Sequence, residues 1–319
     1  MSELLALVHQ NKIDFKLKKE WRDSPTTIAH TDFSKIDLSK ISFEENLVTI
    51  NDKRLKKTEY KDPLPLEKDP MLDLNRKVHN FCYTLDVSGT ETLNFGKNAS
   101  VIGTLKLNLS KNSDLKIELG EYSLVDIVII VNCVEDSNCK LSVFSRNSGI
   151  TYIRFKKTLS KNSKLELINS HIKDKFLFLQ GDCDLDENSD LQSKIYSYSY
   201  DTAHCDCVQN VNLGFQSKAH VIGRGVIEGA ASLIFRGALR LYKDKANGNF
   251  ETKTINLSKE GAFTDSVPIL DISAQDVLAK HSSSIESIDK EDIFYLMSRG
   301  FSEKEASELI IDSFLLVQC

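Results

Sequence analysis

Four short turns recur along the middle of the chain, and their spacing constrains the fold more than any other feature. They read Asn112-Ser-Asp-Leu115, Asn138-Cys-Lys-Leu141, Asn162-Ser-Lys-Leu165 and Asn188-Ser-Asp-Leu191, with the leucines 26, 24 and 26 residues apart. Asn98-Ala-Ser-Val101 is a related turn 14 residues before the first. Asparagine tolerates the left-handed conformation of a tight turn, and the apolar residue that follows re-enters a buried wall. Between turns lie runs such as Leu124-Val-Asp-Ile-Val-Ile-Ile-Val131, Phe176-Leu-Phe-Leu179 and Ala238-Leu-Arg-Leu-Tyr242, which are strand signatures. A period in the mid-twenties, filled by strands and lacking the i, i+3, i+4, i+7 rhythm of helices, predicts a stacked solenoid. The expected fold is therefore mainly β, a right-handed parallel β-helix. A β-sandwich is the rival all-β reading, and the repeated Asn-x-x-Leu phase favours the solenoid over it.

Three regions follow from where the pattern starts and stops. Residues 1–75 read as an N-terminal region and linker with a short helix near its start. Four of the five prolines (Pro25, Pro63, Pro65 and Pro70) fall there, the last three among charged residues that hold no regular structure. Residues 76–285 form the β-helix core. Residues 286–319 form a C-terminal helical region. Asp289-Lys-Glu-Asp292 offers an N-cap and an acidic first turn, and Gly300 a left-handed stop. Ser302-Glu-Lys-Glu305 is a capping box opening a second helix, with Ala306, Leu309, Ile310, Phe314 and Val317 as its apolar positions.

Charge and cysteine content narrow the function classes. A net charge of −5 gives no general attraction to phosphate backbones, so nucleic acid is not an expected partner. No apolar run approaches the roughly 20 residues of a membrane helix, and Met1–Gln10 has no cationic leader, so no membrane partner is expected. Seven cysteines, an odd number without dense spacing, fit a cytoplasmic protein with reduced thiols. There is no Walker motif and no Gly-x-Ser-x-Gly nucleophile element.

The last third of the chain carries a family resemblance. Pro268-Ile-Leu-Asp-Ile272, then Asp276, Val277, Lys280 and His281, then Ile288-Asp-Lys-Glu-Asp-Ile-Phe-Tyr-Leu-Met-Ser-Arg-Gly300, resemble the most characteristic stretch of the SufB/SufD family of iron–sulfur cluster assembly scaffold proteins. Gly229 to Leu241, with Ser232, Phe235, Arg236 and Gly237, resembles that family's last β-helix coils, and Glu20-Trp21-Arg22 and Asn46-Leu-Val-Thr-Ile50 resemble its N-terminal elements. The resemblance implies a β-helix core that pairs with a SufB-like paralogue, or with itself as a homodimer. It also implies C-terminal helices that dock a SufC-like ATPase, and a transient iron–sulfur cluster shared with the partner. No cysteine lies between Cys207 and Cys319, and Lys253 stands near the place of the SufB branch's candidate cluster cysteine. With His281 matching the interface histidine, the pattern resembles the SufD branch, a non-catalytic scaffold subunit whose ATP hydrolysis comes from a partner. Ser282-Ser283-Ser284 departs from the family's Gly-Ala-Thr. A carbohydrate-active enzyme on a β-helix is the alternative, with Asp184, Asp186, Glu187 and Asp190 as its acidic cluster.

Three sets of residues are candidate sites. His281 is a candidate for a cluster-related role, because neutral imidazole is a good iron ligand; a strand-end histidine with an ordinary hydrogen bond is the plain alternative. Ile293, Phe294, Tyr295, Arg299 and Gly300 are candidates for ATPase docking, since an apolar helix face with an aromatic and an arginine suits an interface. Packing of that helix onto the β-helix end satisfies the same pattern. His204, Cys205 and Cys207 are candidate metal ligands. On a strand the two cysteines share one face and His204 takes the other, and the alternative is two cysteines packed as small hydrophobes. Cys133, Cys139 and Cys183 read as core or wall residues.

Overall fold

The computed structural model describes residues 48–315 except 51–52, 55–57, 60–70, 73–74, 77–78, 80, 96–99, 123, 147–148, 173 and 259–260. The expectations on the first helix, the prolines at 25, 63, 65 and 70, the Glu20-Trp21-Arg22 element, the turn at Asn98, and Val317 lie outside those residues. Strands alternate between two sheets. One sheet holds β3 (Phe81–Val87), β5 (Ser100–Leu109), β7 (Leu124–Cys133), β9 (Ile150–Leu159), β11 (Phe176–Leu185), β13 (His204–Leu213), β15 (Ser232–Leu241) and β17 (Phe263–Ile272). The facing sheet holds β4 (Thr90–Phe95), β6 (Asp114–Leu119), β8 (Asn138–Ser145), β10 (Lys164–Ile172), β12 (Asp190–Ser199), β14 (Lys218–Ile227), β16 (Asn247–Asn256) and β18 (Leu278–Glu286). Every neighbour pair among these strands is parallel. Each coil therefore contributes one strand to each sheet, which is the parallel β-helix expected. Two short strands, β1 (Val48–Ile50) and β2 (Lys53–Arg54), extend the second sheet, β1 pairing antiparallel with both β4 and β2.

The corners explain the repeat. At the sharp turn between the sheets, the residues with positive φ are Asn112, Asp136, Asn162, Asn188, Gln216 and Lys245. In four of these turns the following serine is buried and caps the turn: Ser137, Ser163, Ser189 and Ser217 donate through Oγ to Val134, Ser160, Asp186 and Gly214 carbonyls at 2.6, 2.6, 2.7 and 2.8 Å. Asparagine stacking ties successive corners, with Asn162 Nδ2 donating to Asp136 Oδ1 at 2.9 Å and Asn188 Nδ2 to Asn162 Oδ1 at 2.8 Å. One expected turn sits elsewhere. Asn138 is the first residue of β8, and the left-handed position belongs to Asp136. The reason is a two-residue offset: Leu115 stacks on Leu141, but it is Cys139 that stacks on Leu165.

Alternate residues of each strand meet between the sheets in one continuous core running from Phe81 to Phe250. The outer face of the first sheet is also buried in its N-terminal half. There Leu72 packs on Val128, and Asn75 Nδ2 donates to the Gly103 and Asp126 carbonyls at 3.0 and 2.9 Å. Pro268 lies in β17, an edge strand, where its missing N–H costs least.

Two helices follow, α1 (Lys290–Ser298) and α2 (Glu303–Phe314). Their caps are those the sequence predicts. Asp289 accepts from Glu291 N at 2.9 Å, and Ser302 and Glu305 close a capping box, with Ser302 N donating to Glu305 Oε2 at 2.8 Å. Gly300 between them has φ +99°. The buried face of α2 differs from expectation. Ala306, Ile311 and Leu315 are buried whereas Leu309 is exposed, because the helix lies on the outer face of the second sheet over Tyr196, Val226 and Ile255. Phe314 adds a stacked cation, the Arg224 guanidinium 5.8 Å from its ring centre.

Candidate functional site

The last coil is open. β17 pairs only with β15 and β18 only with β16 among the described residues, so each strand leaves one backbone edge free. Both expose apolar side chains, Phe263, Val267, Ile272, Leu278 and Ile285, and in the preceding coil the positions of Val267, Ile272 and Ile285 are buried, at Arg236, Leu241 and Thr254. His281 lies on this edge. Its backbone is opposite Phe250 of the core, so it has the parity of inward-facing residues, yet its side chain is exposed because no coil follows. Ser282, Ser283 and Ser284 continue the strand opposite Glu251, Thr252 and Lys253. Thr252 and Ser266 join the two sheets across the mouth of the interior, their hydroxyls 2.7 Å apart. Lys253 has the opposite parity, half-buried on the outer face, with its ammonium 2.7 Å from Glu286.

The helix α1 buries no residue. Phe294 is 74% exposed and Tyr295 57%, with Met297 and Phe301 beside them, so its apolar face is uncovered among the described residues. Ile293 is half-buried. Arg299 lies over the Tyr295 ring at 5.2 Å, which presents the two as one flat amphipathic surface. The ordering of α1 against the solenoid runs through α2, the helix that does bury apolar residues.

The set His204, Cys205 and Cys207 is divided by the strand. Cys205 and Cys207 share the interior face with sulfurs 3.6 Å apart, both buried. A hydrogen bond with Cys205, together with burial, holds the Cys207 thiol well above the ordinary range. His204 lies on the outer face, its ring 5.6 Å from that of Phe176 and its Nδ1 hydrogen-bonded to the Ser232 hydroxyl. The structure does not bring the three together. Among the described residues, no group of three or more His, Cys, Asp or Glu side chains is arranged to hold a metal ion. No helix among them is long and apolar enough to cross a membrane.

Two buried charged features escaped the sequence reading. On the outer face of the first sheet, Asp206 is fully buried and takes Arg236 in a two-point pair, Nε donating to Oδ1 at 3.1 Å and Nη2 to Oδ2. Between the sheets, Lys157 is wholly buried and donates to Gln209 Oε1 at 3.2 Å. Burial pushes its ammonium pKa down, and burial raises the neighbouring Cys183 thiol to about 12. Strand parity reveals the lysine in retrospect: Phe155, Lys157 and Leu159 are alternate residues of one strand, so all three point inward.

The class that the fold defines is the parallel two-sheet β-solenoid, here with an open final coil and an exposed helix beside it. The chain belongs to the family described as SUF system FeS cluster assembly, SufBD core domain, whose profile matches residues 95–314. It is 38% identical over 109 residues to the iron–sulfur cluster assembly protein SufD of Bacillus subtilis, covering 34% of this chain and 25% of the relative. It is 34% identical over 108 residues to an iron–sulfur cluster assembly SufBD family protein of Archaeoglobus fulgidus, covering 34% and 29%. A SufBD family protein of Staphylococcus haemolyticus is 30% identical over 98 residues, covering 30% and 21%. The matched stretch thus spans less than a third of each of these curated relatives.

Proposed function

We propose that this chain is a SufD-like, non-catalytic scaffold subunit that pairs through its open last coil with a SufB-like paralogue. A SufC-like ATPase docks on its C-terminal helices. The observation that carries the reading is the last coil itself, where two free strand edges meet exposed Phe263, Leu278 and Ile285. Unpaired N–H and C=O groups on a flat apolar edge invite a second chain to continue the sheet. A paralogue with the same two-sheet cross-section continues both sheets at once.

The cluster is cargo in this reading, assembled where the two ends meet. His281 supplies one imidazole ligand from the edge of β18, and the partner supplies thiolate, since this chain has no cysteine between Cys207 and Cys319. The exposed face of α1 (Ile293, Phe294, Tyr295 and Arg299, ending at Gly300) is the docking surface for the ATPase, which provides the driving energy. The membership of the SufBD core family and the SufD relative support this placing.

The test is co-purification of the chain with the SufB-like and SufC-like proteins of its source, intact and truncated before Asp289. The expected result is a three-protein complex that loses only the ATPase on truncation. No association with either protein overturns the reading, and self-association without a paralogue replaces the heterodimer with a homodimer.

A further inference from the structure

The last coil changes chemistry at the centre of its inner face. In the coil before it, the inward residues there are Leu233 and Phe235 on β15 and Phe250 and Thr252 on β16, all four buried. Their partners one coil on are Thr264 and Ser266 on β17 and His281 and Ser283 on β18. Three apolar side chains give way to two hydroxyls and an imidazole, and the fourth position keeps its hydroxyl. Beyond them the inner face stays apolar, at Leu270 and Ile272 on one strand and Ile285 on the other. An end made only to be covered by a second apolar end has no use for polar groups at its centre. Each of them needs a hydrogen-bond partner once water is excluded, so the mouth is suited to a polar guest.

The hydroxyls stand in a defined order. Thr252 and Ser266 meet across the interior with oxygens 2.7 Å apart. Thr252 is 3% exposed and Ser266 is partly exposed. Donation from Thr252 to Ser266 leaves no proton stranded in the core, and it frees the Ser266 proton to point out of the mouth. Ser283 lies one strand spacing beyond Thr252, about 4.8 Å between backbones, and about 6.6 Å along β18 from His281. Thr264 Oγ1 is buried on the inner face of β17 and has no hydrogen-bond partner among the described residues.

We propose, resting on the reading that the iron–sulfur cargo is assembled at His281, that Ser266 and Ser283 are hydrogen-bond donors to the sulfur atoms of that cargo, with Thr252 positioning Ser266. Iron in such clusters is held by thiolate and imidazole rather than by hydroxyl, so the serines serve the sulfurs, which accept hydrogen bonds. Donors to sulfur stabilise the extra negative charge of the reduced form and so raise the reduction potential. Pairing with a second chain turns the mouth into interior, where a low dielectric strengthens each bond.

The experiment uses the complex of this chain with its SufB-like partner, loaded anaerobically from ferrous iron and sodium sulfide. It reads bound iron and acid-labile sulfide per complex, and the midpoint potential by redox titration of the visible absorption. Ser266→Ala and Ser283→Ala are each expected to keep the wild-type iron and sulfide content and to lower the midpoint potential. Ser283→Thr, which keeps a hydroxyl, should restore it. Ser282→Ala, opposite Glu251 and so on the outer face, should leave it unchanged. An unchanged potential in either folded alanine variant overturns the assignment of that serine, and an equal fall in Ser282→Ala overturns both. Ser283 is exposed on the edge strand, so its variants carry the test should Ser266→Ala not fold.

His281→Ala separates imidazole from hydroxyl. Loss of iron and sulfide in that variant, with no shift in the serine variants, keeps the histidine and discards the hydroxyls. Full loading without the imidazole, with the serine shifts intact, discards the histidine and keeps the hydroxyls. No complex, or a complex that takes up no cluster, overturns both.

Discussion

Lys157 in β9 reaches past Gly181 in β11 to donate a hydrogen bond to Gln209 in β13, linking three successive coils through the interior at 3.2 Å. The contact exists because Gly181 has no side chain: a Cβ there would lie 2.5 Å from Gln209 Oε1 and 2.7 Å from Lys157 Nζ. A buried ammonium that forms no ion pair among the described residues is held at a cost, and burial lowers its pKa accordingly.

Lys157→Met is therefore expected to stabilise the chain at neutral pH by about 1–3 kcal/mol, the scale of burying a polar group with incomplete compensation. The sign with pH follows from proton counting. Between the lowered folded value and the unfolded value of about 10.4, the unfolded chain binds a proton that the folded chain does not, so wild-type stability rises with pH. Below that window both states are charged and the penalty is full. The methionine variant's advantage in urea midpoint should accordingly shrink from pH 7 to pH 10.5. An advantage that holds constant over that range means that the amine is not what the substitution relieved.

Gly181 and Gly237 are expected to differ sharply when changed to alanine. At Gly181 the atoms in the way are the ends of two long side chains, which can swing aside at the loss of one hydrogen bond, for a cost of about 1–3 kcal/mol. At Gly237 the new Cβ would lie 2.0 Å from the Gln209 backbone oxygen, inside the ladder that joins β13 to β15. The strands themselves must part there. Gly237→Ala should leave little folded protein by circular dichroism, whereas Gly181→Ala should fold with a lowered midpoint. Equal effects contradict the distinction between side-chain and backbone contact.

The pair Asp206–Arg236 should behave as a buried ion pair. Removing one partner strands a charge in a buried site and costs about 3–5 kcal/mol, while replacing both by apolar residues of similar volume removes most of that penalty. The expected order of urea midpoints is Asp206→Leu or Arg236→Met lowest, with Asp206→Leu/Arg236→Met well above either. A double variant no better than the singles shows that the two charges do not carry the effect between them.

The solenoid was legible in the sequence because its corners demand a left-handed residue, and Asn112, Asn162 and Asn188 mark three of them. The fourth corner was displaced by two residues because Asp136 fills the same backbone role and Asn138 happens to follow it. Turn chemistry names a class of residue, and two members of that class side by side leave the phase open. The helix caps were equally legible, since Asp289, Ser302 and Glu305 act through local hydrogen bonds. The face α2 buries was not, because both Leu309 and Ile311 are apolar and only the sheet beneath selects between them. The same limit hid Lys157. Parity gives the direction of each side chain, but which coils face which is fixed only when the sheets close.

The exposed face of α1 offers the cleanest separation of stability from assembly. Phe294 and Tyr295 are mostly exposed and the helix buries nothing, so neither side chain contributes to the core. Phe294→Ala and Tyr295→Ala should change the urea midpoint by an amount equivalent to no more than about 0.5 kcal/mol, as surface substitutions do. On the proposed docking, the same two changes should release the SufC-like ATPase from the co-purified complex, since aromatic anchors at an interface centre carry a large share of binding energy. Leu315→Ala is the counter-example. It lies under α2 against Tyr196 and Val226, and its loss should cost about 2–5 kcal/mol in stability. A Phe294→Ala chain that unfolds as readily as Leu315→Ala would mean that α1 packs on its own solenoid. One of unchanged stability that keeps the ATPase would move the docking surface off this helix.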